Sequence, residues 1–244
     1  MIPSFFAIRT FDTIDSTSTV AKQAAQEGAP EGLVIRALSQ TAGKGRQGRP
    51  WISPKGNLYL SVLLRPNCTP QQAGHFSFAT ALAVFNAIAE VHSDEKLSLK
   101  WPNDVLLGGA KISGILLDIS ADGADKVEWL VAGIGINVAH APEVDQTAYP
   151  TTSLSAQGCT VDPDVLFEAF LRSFHHWILT LRHDGFDPIR RAWLTDAHRG
   201  PMAIRLPQSE INGNFAGMDP DGGLILRLVD GSERVVHAGD VFLM

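Results

Sequence analysis

The sequence has little cysteine, and its arrangement does not suggest a metal site. Cys68 and Cys159 stand far apart among 244 residues and form no C-x-x-C motif. Zinc sites and disulfide frameworks need several such residues at short, repeated spacings, so neither is expected here. Two isolated thiols are typical of a protein kept in a reducing compartment, and we therefore expect a cytoplasmic location.

Signals for export and for membrane insertion are also lacking. The N-terminal segment has only a short apolar patch, carries no basic region and reaches an acid already at Asp12, unlike a secretory signal peptide. No run of about 18 uncharged apolar residues occurs, so we expect no membrane span. With 45% hydrophobic residues, the chain is long enough for one large core and a small second domain.

Acidic residues are missing from a long internal stretch, although the chain as a whole is acidic. The formal net charge of −6 argues against general affinity for nucleic acid. Between Gly32 and Ala89 there is no Asp or Glu, whereas basic residues recur at Arg36, Lys44, Arg46, Arg49, Lys55 and Arg65. Such a segment indicates either a solvated basic face or a site for a small anion.

The hydrophobic periodicity predicts an α+β body followed by a small β domain. Helical spacing predicts two long helices, at 70–91 and 163–183. Apolar segments of strand length occur at 33–38, 57–64, 97–101, 111–119 and 129–138. A turn over 121–125 would join the last two as an antiparallel pair. From about His198 short strands alternate with turn signals, which predicts domains over 1–197 and 198–244.

The glycine-rich loop Gly43–Gly48 matches the dinucleotide-binding pattern G-x-G-x-x-G, but its context excludes that fold. Two prolines prevent a helix directly after the loop, and the next acid is Glu90. The loop also lacks the Gly-Lys-Ser/Thr of a P-loop. Its glycines allow close approach to the backbone, and Arg46 and Arg49 offer planar donors for phosphate or carboxylate oxygens. The loop therefore favours an anion site; an exposed loop with incidental charges is the alternative if it is considered alone.

Five motifs, taken together and in order, resemble those of biotin protein ligases. They are Asp15-Ser16-Thr17-Ser18, Gln40 with Gly43 to Trp51, Lys100-Trp101-Pro102-Asn103-Asp104, Lys111 to Leu116, and Gly133 to Asn137. The segment from Gly217 to Val241 resembles the small C-terminal domain of the same family. The resemblance therefore covers nearly the whole chain.

The resemblance implies a fold and an activity. The fold would be a mixed sheet with flanking helices, similar to class II aminoacyl-tRNA synthetases, plus a C-terminal SH3-like β-barrel. The activity would be the ATP- and Mg²⁺-dependent conversion of biotin to biotinyl-5′-AMP, followed by transfer to a lysine of a biotin carboxyl carrier protein. Family members often dimerise through the central sheet, so a homodimer is implied as well. Too few residues precede Asp15 for a helix-turn-helix module, so no DNA partner is expected.

The resemblance also assigns roles to individual residues. The implied biotin-binding residues are Ser16, Thr17, Ser18, Gln40, Gly43, Lys44, Gly45, Arg46, Lys111 and Gly114. The implied nucleotide-binding residues are Arg46, Arg49, Trp51, Lys100, Asn103 and Asn137. Lys111, Arg46 and Asp104 are the catalytic candidates, and Asp104 is also the implied Mg²⁺ ligand. Lys44 and Gln47 stand where the family usually has arginine and Ser18 where asparagine is common, so Lys44 cannot form a bidentate contact.

Other interpretations of these residues remain open. Ser16 and Thr17 are typical of a helix N-cap, and Lys111 alone is equally an edge-strand lysine facing water. Lys100 to Asp104 alone is an ordinary proline turn. The rival functions are a lipoate or octanoate ligase on the same fold, a biotin-sensing repressor, and a biotin-binding protein without catalysis. The first is disfavoured because such ligases lack this loop and the Lys-Trp-Pro-Asn-Asp motif.

Overall fold

A computed structural model describes residues 1–92, 96–122, 126–142, 150–206 and 209–243. In chain order its elements are β1 (Ala7–Ile14), α1 (Thr17–Gln26), β2 (Leu33–Gln40), β3 (Leu58–Leu64), α2 (Pro70–Ala73), α3 (His75–Val91), β4 (Leu97–Lys100), β5 (Asp104–Leu107), β6 (Ala110–Asp122), β7 (Lys126–Ile136), α4 (Pro163–Asp184), α5 (Phe186–Thr195), β8 (Pro201–Arg205), β9 (Glu210–Met218), β10 (Leu224–Arg227), β11 (Glu233–Val236) and β12 (Asp240–Leu243).

The body of the protein is a mixed sheet of seven strands in the order β1-β2-β3-β7-β6-β5-β4. β1 and β2 are parallel, and the other neighbouring pairs are antiparallel. The predicted antiparallel pairing of β6 with β7 is confirmed, whereas part of the turn predicted at 121–125 lies outside the described residues. The predicted α+β mixed sheet is confirmed as well.

Helices cover both faces of this sheet because successive strand residues point to opposite sides. On β2, Val34 belongs to the larger core cluster, with α3 and α4, while Ile35 belongs to the smaller cluster under α1. On β3, Leu63 also faces α1, and Ser61, two residues earlier, shares that face. This alternation places a polar side chain beneath α1, next to the site described below.

The segment Pro70–Val91 reaches the length and mean hydropathy of a membrane-spanning helix, although polar residues interrupt its apolar sequence. In the structure more than half of it is buried, and Phe76, Leu82 and Ile88 belong to the main core. Its first turn, α2, begins at a capping box formed by Thr69 and Gln72. The segment therefore packs as a core helix of this fold.

The C-terminal part forms a second, antiparallel sheet with strand order β11-β10-β9-β8-β12. It contacts the body through main-chain acceptors: the indole Nε1 of Trp101 donates to the carbonyl of Gly222 at 2.9 Å, and Lys100 Nζ donates to the carbonyl of Val241 at 3.0 Å. Both donors are the first two residues of the Lys-Trp-Pro-Asn-Asp motif. The C-terminal region therefore supports the turn between β4 and β5 through two hydrogen bonds.

Candidate active site

A cavity of about 460 Å³ opens between the first turn of α1, the glycine-rich loop, the turn joining β4 to β5, strands β6 and β7, and the start of β12. Every predicted site residue except Gly43 lines it. Those residues are Ser16, Thr17, Ser18, Gln40, Lys44, Gly45, Arg46, Arg49, Trp51, Lys100, Asn103, Asp104, Lys111, Gly114 and Asn137. Motifs distant in sequence therefore converge on one concave surface, as expected of a ligand site.

A chain of hydroxyl and amide groups forms one end of the cavity. The Thr17 amide and Oγ1 donate to Gln40 Oε1 at 2.8 and 3.2 Å, and Ser61 Oγ donates to Thr17 Oγ1 at 2.9 Å. Ser18 Oγ lies 3.1 Å from Ser61 Oγ. Ser16 stands at the N-cap of α1, but its side chain makes no capping bond. The simple N-cap interpretation therefore does not account for these buried hydroxyls, which offer donors and acceptors to a polar ligand.

Ser61 is a residue that the sequence prediction missed. It is fully buried at the centre of the apolar strand β3. A single serine within Leu-Tyr-Leu-Ser-Val-Leu-Leu was the available signal, because a buried hydroxyl needs a polar partner. Gly133 leaves room for the contact between Ser18 and Ser61, because a Cβ at position 133 would lie 2.6 Å from Ser18 Oγ.

Gly43 shapes the glycine-rich loop and does not line the cavity. A Cβ there would lie 2.4 Å from the Trp51 carbonyl oxygen and 2.6 Å from Ser53 Oγ. The Trp51 amide donates to the Gly43 carbonyl at 2.9 Å, and Ser53 Oγ accepts from Gln40 Nε2 at 2.9 Å. The role that the structure gives Gly43 is therefore close packing of the loop's two ends.

A buried carboxylate between two ammonium groups lines the cavity. Asp104 lies 2.6 Å from Lys111 Nζ and 2.9 Å from Lys100 Nζ. Burial alone would raise the pKa of Asp104, but the charges of Lys111 and Lys100 outweigh it and hold that pKa well below its usual range. Two ammonium groups and one carboxylate leave a net positive charge, which suits an anionic ligand.

These surroundings do not fit the Mg²⁺ site that the sequence prediction gave to Asp104. Both lysines already contact this carboxylate, and a divalent cation beside them would be repelled. No group of three or more His, Cys, Asp or Glu residues that could hold a metal occurs in the part of the chain that the structure describes. Asp104 is better explained as the residue that positions Lys100 and Lys111.

The glycine-rich loop contributes its arginines from two sides. Arg46 Nη1 donates to Asn103 Oδ1 at 3.0 Å, and Asn103 Nδ2 in turn donates to the Ile115 carbonyl. Arg49 forms an ion pair with Asp240 at the start of β12. Between them, Gln47 has a φ of 55°, a left-handed conformation that is uncommon for residues other than glycine. The loop is thus tied to both the body and the second sheet.

Lys44 lines the cavity, but its ammonium group points to a partner at the rim. Lys44 Nζ donates to Thr19 Oγ1 at 3.1 Å, and this contact is exposed. The family's usual arginine at this position has a second donor group that Lys44 lacks. Among the predicted ligand residues that line the cavity, Lys44 therefore has the weakest structural support.

The ring of Trp51 packs against glycines of β6 and β7. A Cβ on Gly135 would lie 2.4 Å from its indole ring, and one on Gly114 would lie 3.0 Å from it. Lys111 Nζ is 5.4 Å from the centre of the ring, within the range of a cation–π contact. Trp51 Nε1 and Asn137 Oδ1 are buried and find no hydrogen-bond partner among the described residues. Both atoms are therefore suited to a polar ligand in this cavity.

Comparisons with known proteins identify the family. Residues 10–137 match the family model described as the biotin/lipoate A/B protein ligase family, and residues 203–244 match the biotin protein ligase C-terminal domain. The chain is 39% identical over 235 residues to a biotin–[acetyl-CoA-carboxylase] ligase of Paracoccus denitrificans, covering 93% of this chain and 97% of that protein. It is 33% identical to the bifunctional ligase/repressor BirA of Bacillus subtilis, covering 93% of this chain and 71% of that protein.

Solved structures agree with this assignment. The fold is similar to a biotin protein ligase from Aquifex aeolicus in complex with biotin and ATP, with a TM-score of 0.81 at 24% identity over 96% of this chain and 97% of that chain. A biotin protein ligase from Leishmania major in complex with biotinyl-5-AMP gives a TM-score of 0.60 at 26% identity, over 97% of this chain and 100% of that chain. The resemblance seen in the motifs is thus confirmed, and the chain belongs to the biotin protein ligase family.

Proposed function

We propose that this enzyme activates biotin with ATP as biotinyl-5′-AMP and then transfers the biotinyl group to a lysine of a biotin carboxyl carrier domain. The observation that carries the proposal is that one cavity joins a buried hydroxyl–amide network to a cluster of fixed cations. The network suits a neutral polar ring such as the ureido group of biotin. The cations suit a carboxylate and a phosphate meeting a few ångströms away.

In the first step the biotin carboxylate attacks the α-phosphorus of ATP, and pyrophosphate leaves. Negative charge builds on the phosphoryl oxygens, and donors fixed before the reaction stabilise that charge more than they stabilise the ground state. Lys111 is held by Asp104, and Arg46 is held by Asn103. These two side chains are the proposed electrostatic catalysts of adenylation.

The same cavity accounts for the proposed nucleotide contacts. Trp51 offers a flat ring for stacking on adenine, while Asn137 Oδ1 and the indole N–H offer unpartnered polar atoms. Arg49 would serve the phosphates after leaving Asp240. Since the surroundings of Asp104 do not suit a metal, Mg²⁺ is proposed to enter with ATP, held by the phosphate oxygens.

Ser16, Thr17, Ser18 and Gln40 are the proposed contacts of the biotin ring. Their support is the hydrogen-bond network itself, which already orders Thr17 and Gln40 against each other. In the second step the acceptor amine attacks the mixed anhydride and AMP leaves, so positioning accounts for most of the catalysis.

Several finer features belong to the same proposal. The body over 1–197 is proposed to be similar to class II aminoacyl-tRNA synthetases, and residues 198–244 to form an SH3-like domain. The second sheet, from β8 to β12, supports the division. A homodimer formed through the central sheet and a cytoplasmic location remain predictions from the family resemblance and from the two isolated cysteines.

Mass spectrometry tests the function directly. A carrier domain incubated with the enzyme, ATP, Mg²⁺ and biotin should gain one biotinyl group on its lysine. A parallel pyrophosphate assay with lipoate in place of biotin separates this function from the rival ligase activity. Lipoate is the relevant comparison because the description of the matching family names both biotin and lipoate. Pyrophosphate release with lipoate but not with biotin would contradict the proposal.

A further inference from the structure

A buried serine just after the glycine-rich loop touches both halves of the candidate site. Ser53 is not among the described residues that line the cavity, although Trp51 and Ile52 beside it are. Its hydroxyl nevertheless forms hydrogen bonds with Gln40 and with the main chain of Trp51, and both of those residues line the cavity. Any effect of Ser53 on a ligand must therefore pass through these two residues.

The two hydrogen bonds of the Ser53 hydroxyl have a defined direction. A carbonyl can only accept, so Ser53 Oγ gives its single proton to the Trp51 carbonyl, at 2.8 Å. The oxygen keeps its lone pairs, and Gln40 Nε2 donates to it at 2.9 Å. The carboxamide of Gln40 is thereby held with its nitrogen towards Ser53 and its oxygen towards Thr17.

The orientation of Gln40 decides what the hydroxyl end of the cavity can offer a ligand. Gln40 Oε1 accepts from the Thr17 amide at 2.8 Å and from Thr17 Oγ1 at 3.2 Å, so the proton of this hydroxyl is already used. Ser61 Oγ donates to the same Thr17 oxygen at 2.9 Å. What remains on Thr17 Oγ1 can only accept, which suits an N–H group of a ligand. A carboxamide turned by half a rotation would point N–H groups at Thr17 and destroy this arrangement.

The second bond of Ser53 fixes the main chain of Trp51. The Trp51 carbonyl accepts from Ser53, and the Trp51 amide donates to the Gly43 carbonyl at 2.9 Å, so both main-chain polar groups are held. The Gln40 amide also donates to the Ser53 carbonyl at 3.1 Å. Ser53 therefore ties the end of β2 to the residue whose ring is the proposed adenine contact.

We propose that Ser53 is a positioning residue for both substrates: it orients Gln40 towards biotin and holds Trp51 for the nucleotide. This inference rests on the proposed function. Loss of one ordinary hydrogen bond corresponds to about a fivefold change in an equilibrium constant. Ser53→Ala should therefore raise the biotin Kd and the KM for ATP about fivefold each, with kcat close to that of wild type because the hydroxyl touches no reacting atom.

Calorimetry with biotin alone gives the Kd, and pyrophosphate release at saturating biotin gives the KM for ATP and kcat. Tyr59→Phe is the matched control, because it removes another hydroxyl that donates to a main-chain carbonyl in this segment, that of Pro54 at 2.9 Å. This control should leave both substrate constants unchanged. Thermal unfolding of the two variants shows how much each hydroxyl contributes to stability.

A second background separates the two routes. In Gln40→Met the carboxamide is absent, so adding Ser53→Ala should no longer change the biotin Kd, whereas the KM for ATP should still rise about fivefold. An equal effect on biotin in both backgrounds would overturn the inference, because Ser53 would then act without Gln40.

Two further results would also overturn the inference. The first is a Ser53→Ala enzyme with a lower melting temperature and unchanged substrate constants, which would make Ser53 structural only. The second is a rise in only one of the two constants, which would tie Ser53 to a single substrate. A wild-type enzyme that binds biotin but releases no pyrophosphate with ATP would instead refute the proposed function itself.

Discussion

Lys111 Nζ lies 2.6 Å from the carboxylate of Asp104, and this pair sets the charge of the whole site. Asp104 also contacts Lys100 at 2.9 Å, so a single buried anion holds two cations in place. Removing one partner from a buried ion pair leaves an uncompensated charge, and that costs more than the pair contributes when intact.

Asp104→Asn should therefore impair both stability and adenylation. The two ammonium groups would repel each other, and we expect the free energy of unfolding to fall by about 3 kcal/mol. Urea denaturation measures the loss, and pyrophosphate release measures the effect on activity. The matched control is Asp118→Asn, which breaks a partly exposed pair with Lys22 and should cost about 1 kcal/mol or less. Equal losses in the two variants would contradict the role given to Asp104.

The stability contributed by Asp104 should depend on pH in one direction only. Its pKa is lowered by folding, so its contribution is fully present above the unfolded pKa, about 3.9, and is lost as the pH falls towards the lower folded value. The stability difference between wild type and Asp104→Asn should thus be constant from pH 7 to pH 5 and shrink below about pH 4. Urea unfolding of both proteins across this range gives the curve. A difference that shrinks between pH 7 and pH 5 would show that another group is responsible.

Arg46→Ala should lower the rate of adenylation far more than it lowers biotin affinity. Loss of one preorganised donor to a developing oxyanion typically costs about 10²- to 10³-fold in kcat. Single-turnover pyrophosphate release gives the rate, and calorimetry gives the biotin Kd. Lys55→Ala removes an exposed cation from the same acid-free segment and serves as the control. A rate loss in the control as large as that in Arg46→Ala would point to a general field effect.

Thr17→Val tests whether the network under α1 is a ligand site or only a structural one. Its hydroxyl bonds with both Gln40 and Ser61, so removal costs about 1 kcal/mol of stability. If the network also binds biotin, the biotin Kd should rise more than tenfold. A tenfold rise corresponds to about 1.4 kcal/mol of binding free energy, which is larger than the expected loss of stability. Calorimetry and thermal unfolding give the two numbers. Equal free-energy losses in both would show that the network is structural.

Gly135→Ala should weaken the binding of ATP by displacing Trp51. The added Cβ would lie 2.4 Å from the indole ring, a distance that requires the ring to move. A several-fold increase in the KM for ATP is expected, with the biotin Kd less affected. Gly74→Ala is the control because its backbone is right-handed helical and the new Cβ would meet its nearest neighbour at 3.4 Å. An unchanged KM for ATP would remove Trp51 from the nucleotide site.

Much of the fold was predictable because its signals are local. The helices at 163–183 and 70–91 and the strand over 57–64 follow hydrophobic periodicity, and the structure confirms them within a few residues. Two strands were missed. β5 offers only Val-Leu-Leu after Asp104, too short a run to distinguish from the end of a proline turn, and β1 is mostly exposed, so it shows no buried stripe.

The candidate site was predictable where motifs carry charge or glycine, and it was missed where geometry alone decides. Lys111 and Arg46 could be chosen from their motifs, and they line one cavity. Ser61 and Asp240 could not, because pairing across the sheet and contact between two sheets are long-range relationships. The proposed metal role of Asp104 came from residue type, and two neighbouring lysines that only the fold brings together argue against it.

The last strand, β12, binds Lys100 through the peptide carbonyl of Val241 and not through a side chain. Every residue type supplies that carbonyl, so mutation at position 241 leaves the acceptor chemically intact as long as the strand keeps its path. The C-terminal region can therefore diverge widely in sequence among homologues and still keep this hydrogen bond to Lys100. A shift of β12 by one residue would break the hydrogen bond.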